Sequence, residues 1–180
     1  MWWIVIIIII VLIGLWAISV YNKLISQREF VRNSMGNIAA QIESRWDAVK
    51  SLIDAAKKYS SHESETLTGI TAMRAKVDRT SDPTTVEKDD NLFKQAMNQI
   101  NVVAENYPDL KADRVYIQAM EGVDKYENNV RQARMIYNDT VTKLNRQIQQ
   151  FPSSIVAGMF GFSQEAYFQS SSDKKDMPQW

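Results

Sequence analysis

The 180-residue sequence contains no cysteine, one histidine and four prolines. The absence of cysteine excludes a disulfide framework and thiolate chemistry. A zinc-protease helix needs a second histidine four residues after the first, and Thr66 stands at that position after His62. Glycine-rich phosphate loops and Gly-x-Ser-x-Gly elbows are also missing. We therefore expect a protein that is not an enzyme and that binds no metal or cofactor.

Charge is absent from residues 1–20, although the whole chain has 21 basic and 21 acidic residues. Twenty helical residues rise about 30 Å, which is the thickness of the hydrocarbon core of a bilayer. Aromatic residues typical of the two membrane interfaces lie near both ends of this run: Trp2, Trp3, Trp16 and Tyr21. A cleaved signal peptide is the alternative, but it would have a basic start and a shorter apolar core. The sequence predicts an uncleaved transmembrane helix over residues 1–21.

The basic residues nearest to the predicted span all follow it. Lys23, Arg28 and Arg32 lie on its C-terminal side, and no Lys or Arg precedes it. The positive-inside rule then places the N-terminus outside and the C-terminal domain in the cytoplasm. Acidic and basic residues are interspersed in that domain, so no basic face is offered to nucleic acid and we expect no nucleic-acid partner.

Apolar residues recur at steps of three and four from Val31 to Val77, and again in two later stretches. This spacing is typical of one helical face. It predicts helices over three ranges: about 22–79, 86–106 and 112–150. Each has one apolar stripe and the connections are short, so we expect an all-α fold with an antiparallel three-helix bundle over 22–152, long-short-long. A short apolar amphipathic segment and a polar tail make up residues 153–180.

Several stretches resemble the LemA family, in order, along nearly the whole chain. They include Tyr21-Asn22-Lys23-Leu24-Ile25, Thr71-Ala72-Met73-Arg74, Glu105-Asn106-Tyr107-Pro108-Asp109-Leu110-Lys111-Ala112, Tyr137-Asn138 and Phe151-Pro152. The resemblance implies a bacterial protein with an N-terminal membrane helix and an extracellular or cytoplasmic helical bundle, and it implies no particular activity. We expect a single-pass protein of the bacterial inner (plasma) membrane. Val49-Lys50-Ser51 stands where the family usually carries a proline, which favours an unkinked first helix.

Polar residues lie beside the apolar stripes of the first and third predicted helices. We name them the polar seam: Arg28, Arg45, Asp47, Glu127, Arg134, Asn138 and Asn145. Because the two helices are expected to run antiparallel, these side chains are expected to meet and to fix the register, as buried polar residues do in coiled coils. A ligand or partner site and a solvated face are the alternatives.

The C-terminal region is rich in aromatic and apolar residues. We name its main members the contact patch: Met159, Phe160, Phe162 and Phe168. Three partners are open for this patch, namely the bundle itself, lipid, or a neighbouring copy of the chain.

Two classes of function agree with these features. The first is a membrane-anchored structural or interaction protein that forms a homo-oligomer, because the long first helix carries more apolar surface than a short second helix covers. It would contact the bilayer and an unidentified membrane or cytoplasmic protein. The second is a sensory or regulatory module that binds a small ligand or a partner through its bundle.

Overall fold

The computed structural model describes residues 2–59 and 64–169. His62, Glu63 and the polar tail from residue 170 lie outside the described residues. The helices, in chain order, are α1 (Trp2–Lys57), α2 (Ser64–Thr71), α3 (Pro83–Asn106), α4 (Pro108–Ala112), α5 (Arg114–Gln149) and α6 (Ser153–Met159). No β-strand occurs in the described ranges. The predicted all-α fold class is confirmed.

Two compact units divide the chain, and α1 and α5 contribute to both. The first unit comprises Met1–Val31 and Tyr137–Trp180, and the second comprises Arg32–Ile136. In the second unit, α1, α3 and α5 bury their apolar stripes, including Ile38, Ile42 and Leu52 of α1, Val86, Ala96 and Ile100 of α3, and Val123, Val130 and Ala133 of α5.

Side-chain pairs show that α1 and α5 run antiparallel in the second unit. Asn129 of α5 donates to Gln41 of α1 at 3.0 Å. Just after the end of α1, the Tyr59 hydroxyl donates at 2.7 Å to Asp113, just before the start of α5. Residue numbers therefore rise along α1 as they fall along α5, which is the antiparallel arrangement expected for the first and third predicted helices.

The predicted first helix to residue 79 is wrong in its last third. The structure ends α1 at Lys57, places α2 at Ser64–Thr71 and has neither helix nor strand over residues 73–78. These six residues alternate between apolar and charged, and their exposure follows the alternation: Met73, Ala75 and Val77 are half-buried, whereas Arg74, Lys76 and Asp78 are exposed. A period of two is typical of extended chain, so the helical spacing of Met73 and Val77 was coincidental.

Leu67 and Ile70 of α2 are fully buried. Both residues lie in the last part of the predicted first helix, 22–79, the helix whose excess apolar surface was the reason given for self-association. Their burial removes this part of the argument for self-association.

The second and third predicted helices lie close to α3 and α5. Helix α3 begins three residues earlier than predicted because Asp82 caps it: the Thr85 backbone N–H and hydroxyl donate to Asp82 Oδ1 at 2.9 and 2.6 Å. Pro83 occupies the first helical position, where a missing N–H has no cost. A one-turn helix, α4, lies between α3 and α5.

The Asp82 cap makes a testable contribution to acid stability. Hydrogen bonds, first from Thr85 and then from Thr84, lower the pKa of Asp82 from 3.8 to about 2. Ionised Asp82 therefore stabilises the fold above pH 3.8, and this contribution is lost as the pH falls towards 2. We expect Asp82→Ala to lower the Tm near neutral pH and to make the acid decline of the Tm shallower, as followed by circular dichroism. Asp82→Asn, which retains a capping oxygen, should keep more of the neutral-pH Tm. An unchanged acid decline in the Ala variant would contradict this role.

In the first unit, the start of α1 is unusual in its exposure. An 18-residue apolar window of this helix is long and hydrophobic enough to cross a membrane, and none of the window is buried. Among the described residues, α1 is the one helix with this property. Burial begins at Leu24, which is fully buried.

The remainder of the first unit is the end of α5, a cis Phe151–Pro152 bond, α6, and an extended segment over residues 162–169. Gly161 joins α6 to that segment with a φ of 69°, a left-handed conformation that glycine adopts without steric cost.

Candidate functional site

The centre of the second unit is a buried arginine. Arg45 of α1 is 1% exposed, and its guanidinium donates to Asp89 at 2.9 Å, Asp90 at 3.0 Å and Glu127 at 2.6 Å. Its Cζ atom also lies 4.2 Å from the centre of the Phe93 ring. Burial disfavours the charged form, but the Asp90 and Glu127 carboxylates outweigh it and raise the pKa of Arg45. Arg45 therefore stays protonated and ties α1 to α3 and α5.

Asp89 of α3 joins a fourth element, the segment 73–78, to this centre. Its carboxylate is fully buried and accepts from Arg45, from Trp46 Nε1 at 3.0 and 3.1 Å, and from the backbone N–H of Ala75 at 3.1 Å. The last bond fixes the extended segment 73–78 against α1 and α3.

Two more arginines balance the charge. Arg134 of α5 is paired with Asp90, and the exposed Arg131 lies 3.7 Å from Glu127. Three arginines and three carboxylates are thus connected, with no net charge. Charge-assisted bonds of this kind are strong, and here each carboxylate accepts from one or more protein donors.

Part of the predicted polar seam is present in this network. Arg45, Glu127 and Arg134 are brought together, whereas Asp47 is exposed on α1 and forms no part of it. Asp89 and Asp90 were not among the predicted seam residues. The position of Asp89 could have indicated its burial, because it falls three residues after Val86 and four before Phe93, on the apolar stripe of α3.

The remaining seam residues lie in the first unit, where two of them form hydrogen bonds with the extended segment 162–169. Asn138 exchanges two hydrogen bonds with the backbone of Phe168, at 3.1 and 2.9 Å. Asn145 does the same with Glu165, at 2.9 Å each. Seven helical residues rise about 10.5 Å, and three extended residues span about 10 Å. The distance between the two asparagines along α5 therefore matches the distance between Phe168 and Glu165, and the segment runs antiparallel to α5.

Arg28 contacts the chain after α6. Its Cζ lies 5.3 Å from the centre of the Phe162 ring, and Phe162 also packs edge-on against Tyr21, with 5.9 Å between the ring centres. Apart from Asp47, the predicted seam is therefore two separate groups of polar residues, one in each unit.

The predicted contact patch lies wholly in the first unit, and its members differ in exposure. Phe168 is buried and packs on Tyr137, with the ring centres 5.1 Å apart. Met159 and Phe160 remain 77% and 58% exposed. Of the predicted membrane anchors, Trp2, Trp3 and Trp16 are exposed, and Tyr21 is half-buried.

Next to Trp46, a cavity of about 360 Å³ is lined by Trp46, Asp47, Val49, Lys50, Ile53 and Arg74. The lining combines an indole, two cations and a carboxylate, a set suited to a small polar ligand. In the described part of the chain, no group of three or more His, Cys, Asp or Glu side chains is arranged to hold a metal ion.

Comparison with known proteins agrees with the family indicated by the sequence. The model of the LemA family matches residues 34–179. Protein LemA of Metamycoplasma hominis is 29% identical over 155 residues, which cover 83% of this chain and 69% of that protein. The matched region contains Arg45, Asp89, Glu127, Asn138 and Asn145. The chain belongs to the LemA family.

Proposed function

We propose that this protein is a non-catalytic, membrane-anchored structural or interaction protein that self-assembles in a bacterial inner membrane. LemA family membership and the apolar start of α1 fit a membrane-anchored protein. The observation that carries the proposal is the continuity of α1: the same helix that begins with an exposed apolar window supplies Arg45 to the central network.

The central network favours a structural role over catalysis. The Arg45 side chain forms ion pairs with Asp89 and Glu127. A catalytic carboxylate or arginine needs access to a substrate, whereas Arg45 and Asp89 are closed off from solvent. Buried networks of this kind fix the register of packed helices.

Self-assembly has two supports. Copies anchored in one membrane meet at high effective concentration, which lowers the affinity that each contact requires. Large apolar side chains also remain exposed on the helices of the second unit, among them Val102, Met135 and Ile136 at 58%, 62% and 52%.

Co-purification of two tags tests self-assembly. Full-length copies that carry different tags are produced together and extracted in a mild detergent. We expect each tag to recover the other. Copies produced separately and mixed after extraction are the control for association caused by detergent. Recovery of only the tag that was captured would contradict self-assembly.

The orientation has its own test. Because Lys23, Arg28 and Arg32 follow the apolar segment, we expect the C-terminal domain in the cytoplasm. A green fluorescent protein fused after Trp180 should fluoresce, and alkaline phosphatase at the same position should be inactive. Active alkaline phosphatase together with a non-fluorescent green fluorescent protein fusion would show that the C-terminal domain lies outside the cytoplasm.

A ligand-binding regulatory role is the second candidate, and the cavity beside Trp46 is the observation that favours it. Such a module needs no self-association, so the co-purification experiment separates the two roles. Binding of a small molecule there would change the fluorescence of Trp46, whose indole lines the cavity.

A further inference from the structure

A second uncharged stretch lies far from the N-terminus. Residues 147–164, between Arg146 and Glu165, contain no charged side chain. This stretch includes α6 and the turns on both sides of it. It is the longest uncharged run outside the N-terminal segment.

The outward side of this stretch is apolar. Phe151, Ile155, Met159 and Phe160 are 82%, 54%, 77% and 58% exposed, while Val156 and Ala157 are buried. A helix on the surface of a soluble domain normally turns polar residues outward. Here α6 turns apolar residues both inward and outward, which is typical of a segment whose outer side meets something other than water.

Contacts within the first unit give the position of this apolar surface. The Phe160 ring lies 4.7 Å from the Tyr21 ring, measured between centres. Residues 2–20 of α1 rise about 28 Å, close to the thickness of the hydrocarbon core. Tyr21 then falls at a membrane interface, where aromatic side chains are favoured, and Phe160 falls beside it.

We propose that α6, with its flanking Phe151 and Phe160, inserts its outer apolar side into the bilayer interface as a second membrane contact. This inference rests on the membrane anchoring proposed above. Lipid is the expected occupant because the apolar surface adjoins the end of the membrane segment, so the bilayer already lies against it. Short apolar segments that lie in the interface plane bind in this way.

Depth-dependent quenching tests the proposal on the full chain. Because the sequence has no cysteine, one introduced cysteine carries one fluorophore. The probes are Met159→Cys and Ile155→Cys on α6, with Ile10→Cys in the middle of the apolar segment as the positive control. Asp139→Cys, an exposed site on α5 in the same unit, is the matched negative control. Each labelled protein is reconstituted in phosphatidylcholine vesicles that contain lipid brominated either near the headgroup or near the end of the acyl chain.

We expect both α6 labels to lose most of their fluorescence to the headgroup-proximal bromine and less to the deep bromine. The Ile10 label should show the reverse order, and the Asp139 label should be quenched little by either. Quenching at Ile10 but not at Met159 or Ile155 would overturn the inference and leave the anchor intact. No quenching at Ile10 would overturn the anchor itself. Unquenched α6 labels that show energy transfer between copies, lost on dilution with lipid, would identify a second copy as the occupant and overturn lipid contact.

Discussion

Replacing Arg45 by methionine is expected to destabilise the protein by about 3–5 kcal/mol, because removal of one partner leaves buried charge uncompensated. Methionine retains most of the side-chain volume and thus separates the loss of charge from the creation of a cavity. Asp89, Asp90 and Glu127 would each lose a donor. The measurement is urea unfolding of the full chain in a mild detergent, followed by the helical circular dichroism signal.

Two comparisons make the Arg45 result specific. Arg134→Ala removes a half-buried arginine that pairs with Asp90, and should cost about 1–3 kcal/mol. Asp47→Ala changes an exposed residue of α1 that lies outside the network, and should stay within about 0.5 kcal/mol of the parent. Equal effects at Arg45 and Asp47 would contradict a stabilising role for the buried network around Arg45.

Replacing Asp89 by alanine is the second large effect, and we expect a loss of about 3–5 kcal/mol. The change removes a carboxylate from Arg45 and leaves the Trp46 and Ala75 N–H groups without their acceptor. The extended segment 73–78 should then open locally. Amide hydrogen exchange at Ala75 should accelerate more than exchange at Ile100, whose side chain lies in the core of α3.

Asp89→Asn is the matched variant. The amide keeps one acceptor oxygen for Trp46 and Ala75 but loses the charge that faces Arg45. We expect a smaller destabilisation than for Asp89→Ala, with more protection retained at Ala75. Identical unfolding curves for the two variants, together with an unchanged exchange rate at Ala75, would show that Asp89 does not hold the extended segment.

The helices that were predicted well are those with long, uninterrupted stripes. Helices α3 and α5 lie within three residues of their predicted bounds, because sustained spacing of three and four residues identifies a helical face. The segment 73–78 was wrongly included in the first helix, since Met73 and Val77 fit a helical step while the residues between them alternate between apolar and charged. Six residues are too few for periodicity to distinguish a helix from an extended segment.

Partners across the fold were harder to predict than helices. Arg45 and Glu127 were placed in the polar seam, but Asp89 was not, because an aspartate on an apolar stripe reveals its role only when its donors are known. Those donors come from α1 and from the backbone of Ala75, 44 and 14 residues away. The role of Asn138 was equally hard to predict, because its partner is the backbone of Phe168, 30 residues later.

The mass of the full-length protein in lipid nanodiscs tests the central claim, a membrane-anchored protein that self-assembles, most directly. The chain has a mass of 20.7 kDa. We expect particles whose protein mass is a whole-number multiple of this value, at least two, and that keep this mass when the protein is diluted before measurement. Particles that contain a single 20.7 kDa chain in both nanodiscs and mild detergent would contradict the account.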